Sequence, residues 1–163
     1  MTSSVVLVSG GFDPNHSGHI SLLRSAKQIA PMSALAVGLN SDQWLTRKKG
    51  KPFMEFYERK EILEGIKYIS SVVKFDDRDD TANSLITQVR TTYNGGMFNH
   101  TYDDVNPTGR KDYQIYFANG GDRGKGNTPE MDTCRKLDVT MLWGIGGGKI
   151  QSSSWLIEGK EDE

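Results

Sequence analysis

Short unbroken apolar runs alternate along the chain with longer stretches whose apolar residues return every three or four positions. Val5-Val6-Leu7-Val8 is rich in β-branched residues and stops at Gly10-Gly11, which predicts a strand buried on both faces. From His19 onward Ile20, Leu23, Ala26 and Ile29-Ala30 keep a helical period until Pro31 ends it. The run 35–39 predicts a second strand. Phe56, Ile62-Leu63, Ile66 and Ile69 predict a second helix after a basic loop, and 72–75 predicts a third strand. Asp76-Asp77-Arg78-Asp79-Asp80 reads as a charged approach to a helix at about 84–93, with acidic residues suited to the positive helix start. The rhythm breaks over 94–112, where glycines, asparagines, Pro107 and charges predict a loop or small hairpin. It resumes with a strand at 113–118, a helix at about 128–137 and a strand near 139–143. This alternation predicts an α/β fold in which helices cover a parallel sheet and ligands bind at the carboxyl ends of the strands, where the glycine turns fall.

A length of 163 residues suits one domain, expected over 1–157 with 94–112 as an insertion and 158–163 as an acidic solvated tail. The formal net charge of -1 provides no broad positive field for nucleic acid or an anionic membrane, so any phosphate binding must be local. The single cysteine, Cys134, cannot close an internal disulfide, and no apolar stretch approaches the roughly 20 residues that cross a bilayer. A cytoplasmic location is expected, which leaves the sequons at Asn15 and Asn99 without consequence.

Gly10-Gly11-Phe12-Asp13-Pro14-Asn15-His16-Ser17-Gly18-His19 joins the first strand to the first helix, where a parallel sheet opens its crevice. His16 and His19, three positions apart at a helix start, can face one side beside unpaired N–H groups that favour phosphate. Gly18 lacks a Cβ and lets a phosphate approach the backbone. In the alternative, one histidine caps the helix and the other packs. Zinc is a further alternative, but neither a cysteine nor a third histidine follows at ligand spacing. Asp13 could cap the turn or hold a divalent ion.

This segment resembles the Gly-x-Phe-Asp-x-x-His-x-Gly-His signature of the cytidylyltransferase-like nucleotidyltransferase superfamily, which includes glycerol-3-phosphate cytidylyltransferase and the adenylyltransferase domain of ADP-heptose synthase. The resemblance implies a Rossmann-like three-layer sandwich with a five-stranded parallel sheet. It also implies that His16 and His19 stabilise charge on the α-phosphate and the departing pyrophosphate during in-line attack, with Gly10, Gly11, Phe12, Asp13 and Gly18 shaping the nucleotide site. Preorganised positive charge is what phosphoryl transfer mainly requires.

Further matches follow in order. Asn40-Ser41-Asp42 through Arg47-Lys48-Lys49-Gly50-Lys51-Pro52 is similar to a loop bearing a phosphate-contacting lysine, here Lys48 or Lys49, and otherwise reads as a solvated basic run. Glu58-Arg59-Lys60 resembles a pair whose arginine, here Arg59, positions substrate or triphosphate, and otherwise leaves Arg59 on the surface. Phe117-Ala118-Asn119-Gly120-Gly121-Asp122-Arg123 resembles the fourth strand's ending beside the nucleotide, which assigns Gly121 and Asp122. A plain turn would also explain these glycines, and Arg123 departs from the aromatic residue common at its place. Gly146 to Ile157 resembles a closing serine motif in which Ser152, Ser153 and Ser154 hold the β- and γ-phosphates, a role compatible with helix capping. It is not a P-loop, since Trp143 stands where the first glycine belongs and Ile150 follows the lysine.

The resemblance implies transfer of AMP or CMP from ATP or CTP to a sugar or polyol phosphate with release of pyrophosphate, assisted by Mg²⁺, in an enzyme that is often a homodimer. A non-catalytic nucleotide sensor or scaffold would keep the same pocket without turnover. A redox dinucleotide protein is disfavoured because Gly10-Gly11-Phe12 does not continue as Gly-x-Gly-x-x-Gly. Cys134, Trp44, Trp143 and Trp155 are expected to pack, and His100 has no assigned role.

Overall fold

The structure is a computed structural model that describes residues 3–93, 113–121, 123–124 and 128–147. The 94–112 insertion, Asp122, Ser152, Ser153, Ser154, Trp155 and the 158–163 tail lie outside the described residues. Five strands, β1 (Ser3–Gly10), β2 (Ala34–Leu39), β3 (Ser71–Lys74), β4 (Tyr113–Ala118) and β5 (Val139–Leu142), pair in parallel in the order β3-β2-β1-β4-β5. The helices are α1 (Ser17–Ile29), α2 (Asp42–Lys49), α3 (Phe56–Glu64), α4 (Asn83–Thr92) and α5 (Met131–Lys136). The chain winds outward from β1 to β3, then returns through α4 to lay β4 on the other side of β1. The resulting reversal opens a crevice beyond the carboxyl ends of β1 and β4, as expected for a Rossmann-like sheet.

The unbroken apolar runs are explained by two cores, because alternate residues of a strand point to opposite faces. Val5 and Leu7 of β1 pack with Leu85, Ile86 and Val89 of α4 and Cys134 of α5. Val6 and Val8 pack with Leu23 and Ala26 of α1 and Phe56 and Leu63 of α3. Gly38 lets α4 lie flush on β2: a Cβ there would stand 2.2 Å from Leu85 Cδ2. Among the described residues no helix is long and apolar enough to cross a membrane.

Four local expectations change. The basic stretch after β2 is the helix α2, not a loop. Ser41 caps it through the Trp44 N–H at 3.0 Å, Asp42 sits in its first turn, and Arg47, Lys48 and Lys49 complement the negative end of its dipole. Gly50, at φ +93°, ends it. The helix expected to reach Ile69 ends at Glu64, and Ile66 and Ile69 pack from turns instead. α4 begins at Asn83 with no acidic residue in its first turn; Glu130, just before α5 on the same face of the sheet, accepts the Ala82 N–H at 2.8 Å. The last helix starts at Met131, preceded by a turn at Thr128.

Candidate active site

The segment after β1 turns through Phe12 at φ +48°, a left-handed backbone that a bulky residue adopts only under constraint. The constraint is visible: the Phe12 ring is buried, 4.7 Å from the His19 ring. His16 is the N-cap of α1. Its Nδ1 accepts the Gly18 N–H at 3.0 Å, while His19 Nδ1 accepts the His16 N–H at 3.3 Å, so the two histidines form a reciprocal capping box. The rings stack with centroids 3.8 Å apart. Because each Nδ1 accepts, each neutral ring carries its proton on Nε2 and offers that N–H as a donor. The capping alternative and the phosphate-binding one thus use different atoms of the same rings. The Gly18 N–H, by contrast, is taken by His16 and is not available to a phosphate.

Burial foremost, then His16, then Lys49, lower the His19 pKa from 6.5 to about 3. His19 is therefore a neutral N–H donor near neutral pH, not a standing cation. A triphosphate beside it would reverse the Coulombic part of that shift.

Asp13 takes the structural one of its two alternatives, and Arg59 takes neither of the two expected for it. The buried Asp13 carboxylate accepts the Phe53 N–H at 2.6 Å and the Met54 N–H at 2.7 Å, and the Lys49 ammonium lies 3.0 Å from it. Lys49 also donates to the Asp13 carbonyl at 2.6 Å. Both carboxylate oxygens are committed to clasping the 50–54 segment, so a divalent ion does not fit Asp13. Among the described residues no group of three or more His, Cys, Asp or Glu side chains that could hold a metal ion is found. Arg59 is neither on the surface nor presented to a phosphate. Its fully buried guanidinium donates to the carbonyls of Met54, Gly11 and Asn40 at 2.9 Å each and to Asp42 at 2.7 Å. It braces the ends of β1 and β2 from beneath.

A cleft of about 420 Å³ opens at these strand ends, lined among others by Gly10, Gly11, Trp44, Lys48 and Arg123. A Cβ on Gly11 would meet Leu45 of α2 at 2.9 Å, so this glycine is needed for α2 to close over the turn. Lys48 lies 4.6 Å over the Trp44 ring and makes no ion pair among the described residues, whereas Lys49 is spent on Asp13. Gly121 is an exposed turn residue beyond β4. On the far side, Ser21 of α1 donates to the Gly146 carbonyl at 3.2 Å, which ties the start of the closing segment to the helix that carries the histidines. Asp122, Ser152, Ser153 and Ser154 are outside the described residues.

Two further residues, Asp77 and Glu130, shape the cleft without having been singled out in the sequence. Buried Asp77 accepts from Asn40 Nδ2, the Ser41 N–H and the Ser41 hydroxyl at 3.1, 2.7 and 2.8 Å, pinning the start of α2. Buried Glu130 pairs with Arg123 at 2.7 Å. A run of four aspartates around Arg78 hid which one turns inward, and nothing local marks Glu130.

Comparisons with known proteins agree with this geometry. The profile of the family described as cytidylyltransferase-like matches residues 7–129. The chain is 38% identical over 88 residues to the bifunctional protein HldE of Campylobacter concisus, covering 53% of this chain and 18% of that protein. It is 36% identical over 72 residues to the ethanolamine-phosphate cytidylyltransferase of Mus musculus, covering 43% of this chain and 18% of that one. The matched stretch thus spans only 18% of either relative's length. A solved structure, the lipopolysaccharide core biosynthesis protein from Thermoplasma volcanium, superposes with a TM-score of 0.57 over 88% of this chain and 96% of that one, at 17% identity, a likeness of fold alone. With its profile running from β1 through the cleft to the turn before α5, the chain belongs to the cytidylyltransferase-like family of nucleotidyltransferases.

Proposed function

We propose that this chain transfers a nucleoside monophosphate from ATP or CTP to a phosphorylated small molecule, a sugar or polyol phosphate, and releases pyrophosphate. The observation that carries the proposal is the histidine pair: two stacked imidazoles whose Nδ1 atoms are fixed by the start of α1, which orients both rings, with Lys49 near His19. Imidazole N–H donors so oriented cost no reorganisation when charge builds on the α-phosphate. The acceptor's phosphate oxygen attacks the α-phosphorus, a new P–O bond forms, and the bond to the bridging oxygen breaks, with the electron pair leaving on pyrophosphate. No general base is needed because a phosphate acceptor is already ionised. Lys48 is the lysine better placed for a phosphate, since Lys49 is held by Asp13. Mg²⁺ is assigned to the substrate as Mg·NTP, consistent with the commitment of Asp13 elsewhere.

A matrix of NTPs against phosphorylated sugars and polyols, read by pyrophosphate release, tests the proposal. Acceptor-dependent release is expected with one nucleotide dominant. Thermal stabilisation by nucleotide without release from any pair would favour the sensor or scaffold instead.

A further inference from the structure

Three charged side chains that line the cleft are already spent on partners within the protein. Asp80 receives the Arg47 guanidinium at 3.0 Å, and Arg123 and Glu130 hold each other at 2.7 Å. Glu130 is 2% exposed, and its other oxygen takes the Ala82 N–H. Arg123 is further fixed by Asn119 Oδ1, 3.3 Å from Nη1, yet its side chain stays 34% exposed on the cleft wall. A guanidinium has five N–H donors, so these two contacts leave others for a ligand. Lys48 is the lining cation without an ion pair among the described residues, and it covers the Trp44 ring, the face on which a ligand's ammonium would rest.

With Lys48 given to phosphate, the arginine left on the cleft wall has its charge offset by Glu130, which fits a neutral, hydroxylated body better than a further charged group. We propose that Arg123, positioned by Glu130, is the acceptor-specificity residue: it donates to the hydroxyl oxygens of a polyol or sugar phosphate, and the cleft turns away phosphorylated acceptors with an ammonium or a second acidic group. This rests on the function proposed above and narrows its acceptor. An ammonium tail would meet Lys48 and Arg123 with both lining carboxylates already paired. A carboxylate tail would meet an arginine whose charge Glu130 already offsets, beside a second, buried carboxylate.

The test is calorimetric binding of glycerol 3-phosphate, glucose 1-phosphate, phosphoethanolamine and 3-phosphoglycerate to the full chain saturated with a non-hydrolysable NTP analogue. The first two are expected to bind about tenfold tighter than the last two, or better. Arg123→Lys keeps a charge beside Glu130, and Arg123→Leu combined with Glu130→Gln removes the pair without stranding a buried carboxylate. Both variants should weaken the first two acceptors about tenfold while leaving the affinity for the nucleotide analogue unchanged. Equal or tighter binding of phosphoethanolamine or 3-phosphoglycerate overturns the assignment, as does unchanged polyol-phosphate affinity in both variants, or no binding by any of the four. Pyrophosphate release in parallel samples, with ATP or CTP in place of the analogue, separates the two proposals. The expected binding order without release supports Arg123 and removes the transferase, whereas release with the order reversed keeps the transferase and removes Arg123.

Discussion

His19 links stability to pH through a calculable sign. In the unfolded chain it takes a proton near the ordinary 6.5, in the folded chain only near about 3. The neutral ring therefore contributes its full stabilisation above pH 6.5, and that contribution is lost as pH falls toward 3, because the unfolded state binds the extra proton. His19→Gln keeps a side chain able to accept the His16 N–H, so the capping box survives. Its urea midpoint should fall less between about pH 7 and about pH 4 than the wild-type midpoint does; parallel slopes would show that burial does not hold the ring neutral. Arg59 makes the opposite point about a residue expected at the substrate. Arg59→Ala strands the carbonyls of Gly11 and Asn40 and removes the partner of Asp42, at a cost of roughly 3–5 kcal/mol, read as a lowered denaturant midpoint. A variant that kept its stability and lost only NTP affinity would return Arg59 to the phosphate. Neither outcome was legible from Glu58-Arg59-Lys60, since three consecutive charged residues give no sign of which one turns inward.

The two lysines that end α2 separate structure from binding on a single element. Successive helical residues point about 100° apart, which sends Lys49 to Asp13 and leaves Lys48 on Trp44 at the cleft. Lys48→Ala is expected to raise the KM for substrate about tenfold with an unchanged melting temperature, and Lys49→Ala to lower the melting temperature by leaving buried Asp13 without its cation. The reverse pattern would exchange their roles. Packing of α4 on β2 is similarly exposed to one atom. Gly38→Ala places a Cβ on Leu85 and should cost about 1–3 kcal/mol in a thermal melt, with Leu85→Ala in the same chain recovering part of the loss. The helix period of α1 and the apolar strands were readable because each element carries its own pattern. The helicity of α2 was not, because its run of charges has little apolar period; Ser41 as cap and Gly50 as stop were the signals available.

At the scale of the whole molecule the histidine pair sits at the start of α1, which follows the glycine turn that lines the cleft. α2, which follows β2, supplies the cleft with Lys48, and the Gly146 carbonyl bound to Ser21 brings the segment after β5 to the histidines' helix. Nucleotide bound there should stabilise the fold by about 2.7 kcal/mol at a concentration a hundred times its Kd. His16→Ala and His19→Ala should each keep a nucleotide-dependent rise in melting temperature and lose turnover about a hundredfold or more. A variant with near-normal turnover would remove that histidine from the chemistry.

Local order was written in the sequence. Apolar periodicity marked the strands and most helices, and the spacing of Gly11, Phe12, Asp13, His16, Gly18 and His19 marked the family and the turn from β1 into α1, because patterns of this kind depend only on neighbours along the chain. What the tertiary structure decided is which charge meets which: that Asp13 serves Lys49 and two amides, that Arg59 lies beneath the crevice, and that Glu130 reaches across to both Arg123 and α4. Those partners lie between 17 and 48 residues apart, apart from Glu130 and Arg123, which are 7 apart. A charged side chain reads alike in sequence whether solvated or buried, and only the fold sets how much water it keeps and which opposite charge replaces that water.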